Sequence, residues 1–279
     1  MKRYFGKMEA AHLLPRVKKT DNKYSRGRTL IFAGSEDFPG AGILSAQGAA
    51  RMGCGYVTLA QKKLYPSLRN ADFIFLDLNK KNWRDFQFDS VLIGPGFGVN
   101  DFTRDLIMEF KKRKFESVIL DADAITACAR YNLFPLPQSW ILTPHVGELS
   151  RCIGVGAKEI QNQREHYLVE AQKNVGGVIL LKGYGTLIAN EHELFQIRSG
   201  NEALAKAGTG DVLSGIIASL RANGLGSTDA ALLGAYVHGA TANLWLSRKN
   251  DVLSMRAVDI LDLLPRVLRT IRNLPAHQA

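Results

Sequence analysis

Short apolar runs alternate with segments of helical periodicity along most of the chain, and this alternation predicts strands followed by helices. Continuous apolar runs, which are typical of strands buried on both faces, cover residues 29–33, 56–60, 90–93, 117–120, 140–142 and 178–181. Apolar residues at helical spacing lie between them at residues 41–52, 102–110 and 158–173, with shorter helices after Asp123 and from Glu148. The pattern predicts an α/β fold, a mostly parallel sheet with helices on both faces.

The C-terminal part of the chain follows a different order. Residues 186–189 and 194–198 flank a turn and predict a β-hairpin. Three helices are then predicted at 211–222, 229–247 and 257–272, and the second carries a close-packed face of small residues with one histidine: Gly234, Ala235, His238, Gly239 and Ala242. No linker, repeat or low-complexity segment interrupts the chain, so we expect residues 1–279 to form a single domain whose last residues, 274–279, fray.

Every polar or glycine-rich motif in the α/β part follows directly after a predicted strand. These motifs are GSEDFPGA, GPGFG, DADA, TPHVGE and KGYGT. Open α/β sheets bind ligands beyond the carboxyl ends of their strands. The five motifs are therefore expected to line one crevice.

The stretch GNEALAKAGTGDVLSG, residues 200–215, predicts an anion site. Gly208, Thr209 and Gly210 form a turn directly before a helix, where unpaired N–H groups and the helix dipole favour a phosphate. Asp211 lies in the first helical turn, so it either caps the helix or acts on a ligand bound there. The stretch lacks the Lys-Ser/Thr ending of a Walker loop, and GPGFG does not fit the GxGxxG fingerprint of dinucleotide sites.

Three further side chains at predicted strand ends admit two interpretations each. Lys182 is either a cation for phosphate or a lysine that points to water, and His145 either contacts a ligand or bonds within its turn. Glu148 either caps its helix or approaches magnesium through water. Asp121 and Asp123 likewise either help to place a metal or water, or cap the next helix.

Charge and composition narrow the classes of function. The chain has 279 residues and a formal net charge of +10, but its basic residues form short scattered runs such as Lys62-Lys63, Lys80-Lys81 and 111–114. These runs lack aromatic interleaving, so we expect solvated faces and no nucleic-acid partner; the positive field would favour encounter with phosphorylated ligands. No apolar run approaches the roughly 18 residues of a membrane span.

The cysteines and the N-terminal residues bear on the redox state and the cellular compartment. The three cysteines, Cys54, Cys128 and Cys152, are far apart and odd in number, so they predict neither a disulfide framework nor a metal site. The N-terminal residues contain no continuous apolar core of a signal peptide. We therefore expect a cytoplasmic protein without a membrane partner.

Taken together, the motifs resemble one family. The chain is similar to the nucleotide-dependent NAD(P)H-hydrate dehydratases of the ribokinase-like superfamily from about Leu14 to beyond Gly239, and the order and spacing agree. The segments that carry the resemblance are AGSEDFPGA, RMGCGYV, IGPGFG, LDADAI, TPHVGE, LKGYGT and GNEALAKAGTGDVLSG. The chain departs from the common pattern at Cys54, Tyr56, Asn22-Lys23-Tyr24 and Glu202.

The resemblance implies a ribokinase-like three-layer sandwich, a reaction and a set of site residues. The S-form of hydrated NADH or NADPH would be dehydrated in a metabolite-repair reaction, while ADP, or ATP in some relatives, is consumed with Mg²⁺ present. Asp211 would be the catalytic base. The hydrate would contact Ala41, Gly96, Gly98, His145 and Asp211, and the nucleotide would contact Lys182, Gly183, Tyr184, Gly185, Thr186, Gly208, Thr209 and Gly210. Glu148 would lie near the metal through water.

The resemblance also implies partners and leaves two alternatives. A separate epimerase would interconvert the forms of the hydrate, and a homo-oligomer is expected. One alternative is a kinase of the same superfamily that phosphorylates a hydroxymethylpyrimidine or thiazole compound. The other is a nucleotide-binding module without catalysis, which would not need Asp211. An ionised Asp211, held charged by the helix N-terminus, is expected in either enzyme.

Overall fold

The computed structural model describes residues 2–62 and 72–274 of the chain. Its strands are β1 (Lys2–Phe5), β2 (Arg28–Phe32), β3 (Tyr56–Gln61), β4 (Ile74–Asp77), β5 (Ser90–Ile93), β6 (Val118–Leu120), β7 (Leu136–Leu142), β8 (Gly176–Leu181), β9 (Leu187–Ala189) and β10 (Leu194–Ile197). Its α-helices are α1 (Lys7–Leu13), α2 (Pro39–Arg51), α3 (Asp101–Lys112), α4 (Asp123–Arg130), α5 (Val146–Ile153), α6 (Ala157–Asn162), α7 (Arg164–Val175), α8 (Thr209–Ala222), α9 (Ser227–Ser247) and α10 (Ala257–Arg272).

The strands form one sheet in the order β1-β10-β9-β8-β7-β6-β5-β2-β3-β4. All neighbouring pairs from β8 to β4 are parallel. The hairpin of β9 and β10 turns the sheet antiparallel beyond β8, and β1 then pairs with β10 in parallel. The predicted fold, a mostly parallel sheet, is confirmed, as is the hairpin.

Successive residues of the strands point to opposite faces of the sheet and pack into two hydrophobic cores, one on each face. In β2, Ile31 contributes to one core, and Leu30 and Phe32 contribute to the other. Helices α1, α2, α8, α9 and α10 cover the first face, and α3 to α7 cover the second. The helix layers on both faces follow from central strands that are largely apolar on both sides.

Several elements differ from the sequence-based expectation. The predicted helix over 158–173 is wrong, because Gln163 leaves the helical region (φ −134°, ψ 49°) and separates α6 from α7. Helix α8 begins at Thr209, before the predicted Asp211, and β7 begins at Leu136, before the predicted Trp140. The periodicity did not predict β1, α1 or β4. Lys63 and residues 275–279, part of the predicted frayed end, lie outside the described residues.

Helices α2 and α8 lie in direct contact because each has a glycine where they cross. A Cβ atom on Gly215 would lie 2.0 Å from the carbonyl oxygen of Ser45, and one on Gly48 would lie 2.5 Å from that of Val212. Real Cβ atoms do not approach an oxygen so closely, so neither position admits a side chain without separating the helices. This contact fixes the start of α8 against α2. Within the described residues, no helix is long and apolar enough to cross a membrane.

We predict that Gly215→Ala destabilises the protein by about 2–4 kcal/mol, because α8 must move away from α2. Gly156→Ala is the matched control: it lies at the N-cap of α6 with an ordinary φ of −60°, and a Cβ atom there would meet nothing within 4 Å. Urea unfolding of both variants measures the difference. The packing account is wrong if the two variants have the same midpoint.

Candidate active site

The loops that follow β2, β5, β6, β7 and β8 meet at the carboxyl edge of the sheet. A Cβ atom on Gly96 would lie 3.1 Å from the Cβ of Ala41, so the GPGFG and GSEDFPGA loops are in contact. The N–H of Gly98 donates to Asp123 Oδ2 over 2.8 Å, which joins GPGFG to DADA. The five motifs therefore lie side by side, as the strand order requires.

The anion turn is held by glycine geometry and by one threonine. Gly208 has φ 90°, in the left-handed region, and a Cβ atom there would lie 2.7 Å from Leu44 of α2 and 3.1 Å from Ala257 of α10. The hydroxyl of Thr209 donates to the carbonyl oxygens of Leu204 and Lys206, both over 2.9 Å. The turn thus presents the first N–H groups of α8 toward the crevice, where they have no helical partner.

Asp211 lies in the first turn of α8 and is largely shielded from water. Burial, and next the negative charge of Asp121, raise the pKa of Asp211 to about 7, although Lys182 opposes the shift. Contrary to the expectation, the helix N-terminus therefore does not keep this carboxylate fully charged: with a pKa of about 7 it is about half protonated at neutral pH. Lost hydration and the carboxylates facing Asp211 outweigh the dipole.

Lys182 is a buried cation among carboxylates, so its interpretation as a lysine that points to water is excluded. Its Nζ lies 2.9 Å from Asp121 Oδ1 and 3.6 Å from Glu148 Oε2, and its side chain is 22% exposed. Burial alone would lower the pKa of Lys182, but the charges of Asp121, Glu148 and Asp211 overcome it and raise the pKa. Its Nζ also lies 3.5 Å from where a Cβ of Gly210 would be, next to the anion turn.

His145 and Glu148 cap α5 together. His145 Nδ1 accepts the N–H of Gly147 over 2.9 Å, and the Glu148 carboxylate accepts the N–H of His145 over 2.7 Å. Because Nδ1 accepts, the neutral ring carries its proton on Nε2. The side chain of His145 is 56% exposed and lines a cavity of about 370 Å³ together with Asp121, Lys182 and the turn from Lys206 to Asp211. The other ring nitrogen, Nε2, lies 3.6 Å from Glu148 Oε1, beyond hydrogen-bond distance, so it can still donate to a ligand in the cavity.

A second cavity, of about 330 Å³, lies on the other side of the anion turn. All five residues from Lys182 to Thr186 line it, together with Thr209 and Gly210. Its remaining wall comes from residues 199–202 and from the helix α9 residues Ala235, His238 and Gly239. Lys182, Gly183, Thr209 and Gly210 border both cavities, so the turn separates two adjoining binding spaces.

The predicted site residues thus lie around two cavities that share part of their lining. His145, Gly208 and Asp211 lie at the first cavity, and Ala41, Gly96 and Gly98 lie in the neighbouring loops. Tyr184 is 88% exposed at the mouth of the second cavity. The division agrees only in part with the one expected from the resemblance: Tyr184, Gly185 and Thr186 lie apart from His145 and Asp211. Gly208, expected to contact the nucleotide, instead lines the first cavity with His145 and Asp211. The roles stay predictions.

The structure adds residues that the motifs did not reveal. Arg164, at the start of α7, donates to the carbonyl oxygens of Leu181 and Lys182 over 3.3 and 3.4 Å, and to that of Tyr184. Gln61, at the end of β3, is 1% exposed and donates to the carbonyl oxygen of Ala33 over 3.0 Å. Each side chain stabilises a glycine-containing loop that lies elsewhere in the sequence. No motif around Arg164 or Gln61 therefore predicts this role.

The carboxylates do not form a ready-made metal cage. Among residues 2–62 and 72–274, no three His, Cys, Asp or Glu side chains converge in a way that could hold a metal ion. Asp121 and Glu148 face Lys182 instead. A Mg²⁺ ion that keeps several waters and binds mainly to phosphate oxygens fits this arrangement, with Glu148 in reach through water.

The chain is similar to proteins of known activity over most of its length. The family model described as NAD(P)H-hydrate dehydratase matches residues 29–266. The ADP-dependent (S)-NAD(P)H-hydrate dehydratase of Bacillus subtilis is 32% identical over 91% of this chain and 93% of its own. The bifunctional NAD(P)H-hydrate repair enzyme of Moorella thermoacetica is 34% identical over 93% of this chain, which spans about half (52%) of that enzyme.

The solved structures agree with these relatives. The crystal structure of a B. subtilis ADP/ATP-dependent NAD(P)H-hydrate dehydratase, co-crystallised with ATP and Mg²⁺, superposes with a TM-score of 0.85 at 30% identity. The match covers 97% of this chain and 99% of that one.

We predict that Asp211→Asn stabilises the ligand-free protein at pH 8 by about 1–3 kcal/mol. Because the folded pKa is about 7 and the ordinary value is 3.8, the folded state holds more protons between these limits. Stability from this group is therefore lost as pH rises through the window, and an amide avoids the loss. The thermal midpoints of variant and parent should diverge from pH 5 to pH 8. Asp262→Asn, an exposed position, is the control; an unchanging gap for Asp211→Asn contradicts the assignment.

Proposed function

The chain belongs to the NAD(P)H-hydrate dehydratase family, and on that premise we propose that it dehydrates the S-form of hydrated NADH or NADPH. ADP would be the co-substrate, converted to AMP and phosphate. The observation that carries this proposal is that Thr209 and Gly210 of the turn border both adjoining cavities, while Asp211 lines the one that also contains His145. A phosphoryl group at the turn would face a nucleotide on one side and a ring hydroxyl on the other.

In the first step the ring hydroxyl of the hydrate attacks the terminal phosphate of ADP. Asp211 accepts the hydroxyl proton, and a pKa of about 7 gives it a proton affinity suited to a general base near neutral pH. The N–H groups at the start of α8 stabilise the charge that develops on the transferred phosphoryl group. The step forms a bond between the hydroxyl oxygen and the β-phosphorus of ADP and breaks the bond between that phosphorus and the bridging oxygen, which leaves with AMP.

In the second step the ring nitrogen's lone pair expels phosphate from the neighbouring carbon. Loss of a proton from the adjacent ring carbon then restores the dihydropyridine ring of NADH or NADPH. Phosphorylation is required because hydroxide is a poor leaving group. Among the groups proposed to contact the hydrate, His145 donates from Nε2, and Ala41, Gly96 and Gly98 offer a close backbone surface.

Lys182 and Glu148 would serve the phosphates. Lys182 lies at the border of both cavities and is cationic, so it would compensate phosphate charge. Mg²⁺ would neutralise further phosphate charge, with Glu148 in contact through water. The remaining nucleotide contacts are proposed at Gly183, Tyr184, Gly185, Thr186, Gly208, Thr209 and Gly210.

The proposal extends to the cellular setting. A homo-oligomer is inferred from the resemblance, and a cytoplasmic location stays an expectation. Interconversion of the epimers of the hydrate would fall to a separate epimerase. Neither inference is needed for the chemistry above.

The function is tested by mixing the protein with hydrated NADH, Mg²⁺ and either ADP or ATP. We expect the absorbance of reduced nicotinamide to return with at least one nucleotide and AMP to form with ADP. Absence of this signal with both nucleotides contradicts the proposal. Transfer of phosphate to a hydroxymethylpyrimidine or thiazole alcohol, with a stable phosphorylated product, would favour the kinase alternative instead.

We predict that Asp211→Asn lowers the turnover number roughly 10²–10⁴-fold, because an amide cannot accept the hydroxyl proton as the carboxylate does. ADP affinity, measured by calorimetry, should change little, since the N–H groups of the turn are backbone atoms. Asp262→Asn again serves as the control and should keep the parent rate. A near-normal rate for the Asp211 variant would rule out its role as the base.

A further inference from the structure

His238 is a buried histidine that the proposed chemistry does not use. It lies on α9, is 7% exposed, and lines the second cavity, which is called the nucleotide-side cavity below because the nucleotide is proposed to bind there. Its Nε2 lies 2.9 Å from the carbonyl oxygen of Thr209, the first residue of α8. A carbonyl oxygen only accepts, so Nε2 carries the proton and donates it across the interface between α8 and α9.

The ring is uncharged in this position. Burial lowers the pKa of His238, the hydrogen bond to Thr209 opposes this shift, and the charge of Lys182 adds to it, so that the pKa is about 4. A neutral ring has a single N–H, and that N–H is committed to Thr209. His238 therefore serves neither as a proton donor nor as a cation for phosphate near neutral pH.

Thr209 is the residue through which the anion turn is anchored. Its hydroxyl bonds to the carbonyl oxygens of Leu204 and Lys206, and its own carbonyl is held by His238. In an α-helix that carbonyl also accepts an N–H four residues on, and it shares a peptide plane with the N–H of Gly210. The histidine therefore adds a second restraint on the orientation of that plane. Gly210 and Asp211 follow directly on this plane.

The same part of α9 holds the other wall of the nucleotide-side cavity. Ser199 Oγ donates to the carbonyl oxygen of Tyr236 over 2.8 Å, and Asn243 Oδ1 accepts the N–H of Gly200 over 3.2 Å. A Cβ atom on Gly239 would lie 2.5 Å from Ser199 Oγ, so this glycine allows close approach. Hydrogen bonds therefore join helix α9 both to residues 199–200 and to the anion turn.

We propose that His238 is a positioning residue for phosphoryl transfer, which sets the orientation of the anion turn and of Asp211 through its hydrogen bond to Thr209. The inference rests on the proposed function. Small displacements of a base or of hydrogen-bond donors reduce the rate of a step that depends on alignment. The nucleotide would still bind, because the cavity and the N–H groups are retained.

Two substitutions separate the hydrogen bond from the space that the ring fills. His238→Gln keeps an N–H donor at about the distance of Nε2, whereas His238→Leu keeps the volume without a donor. We expect the leucine variant to lose roughly 10–100-fold in kcat, with KM for ADP changed less than about threefold, and the glutamine variant to recover most of the rate. Thermal midpoints of both variants monitor folding.

Hydrogen exchange measured by mass spectrometry on the ligand-free protein tests the same inference without the reaction. Amides in residues 204–214 should exchange several-fold faster in the leucine variant than in the parent, and the glutamine variant should resemble the parent. If the parent itself shows no dehydratase turnover, the proposed function fails, and the exchange result still decides the role of His238.

Three results would overturn the role of His238. The first is equal exchange in the leucine variant and the parent. The second is equal impairment of the leucine and glutamine variants, which would assign the ring a packing role. The third is a rise in KM for ADP at unchanged kcat, which would make His238 a nucleotide contact.

Discussion

The structure depends on one constraint: helix α8 must begin at the carboxyl edge of the sheet, so that its first, unpaired N–H groups lie there. Gly208 satisfies it by adopting φ 90° in a space that Leu44 and Ala257 leave too small for a side chain. Gly48 and Gly215 also help to fix the position of α8, because they allow α2 and α8 to come into direct contact. The proposed recognition of phosphate would therefore follow from backbone packing, with the charged side chains added to a turn whose shape the glycines define.

The electrostatics of the site follow from what surrounds Lys182. Asp121 and Glu148 face its ammonium group, and all three groups contribute to the proton affinity of Asp211. Burial is the main cause of the raised pKa of Asp211, and the carboxylates, which outnumber this cation, raise it further. Polyphosphate brings more negative charge, so the site fits a ligand that arrives with Mg²⁺.

Much of this arrangement could be predicted from the sequence, because it depends on local patterns. The strand 90–93 and the helix 257–272 match β5 and α10, and the order of motifs along the sheet edge followed from strand order alone. The roles of Arg164, Gln61 and His238 could not be predicted, because each acts on a loop distant in sequence. Strand β1 escaped prediction for the same reason: its partner, β10, lies almost two hundred residues further along the chain.

The central claim, that the ring hydroxyl leaves as phosphate after transfer at the α8 turn, can be tested by isotope tracing. The hydrate is prepared with ¹⁸O in its ring hydroxyl and turned over with ADP, and the inorganic phosphate is analysed by mass spectrometry. The account predicts that the released phosphate carries the ¹⁸O atom. Recovery of ¹⁸O in water, with unlabelled phosphate, would mean that ADP is hydrolysed separately from dehydration and would contradict the account.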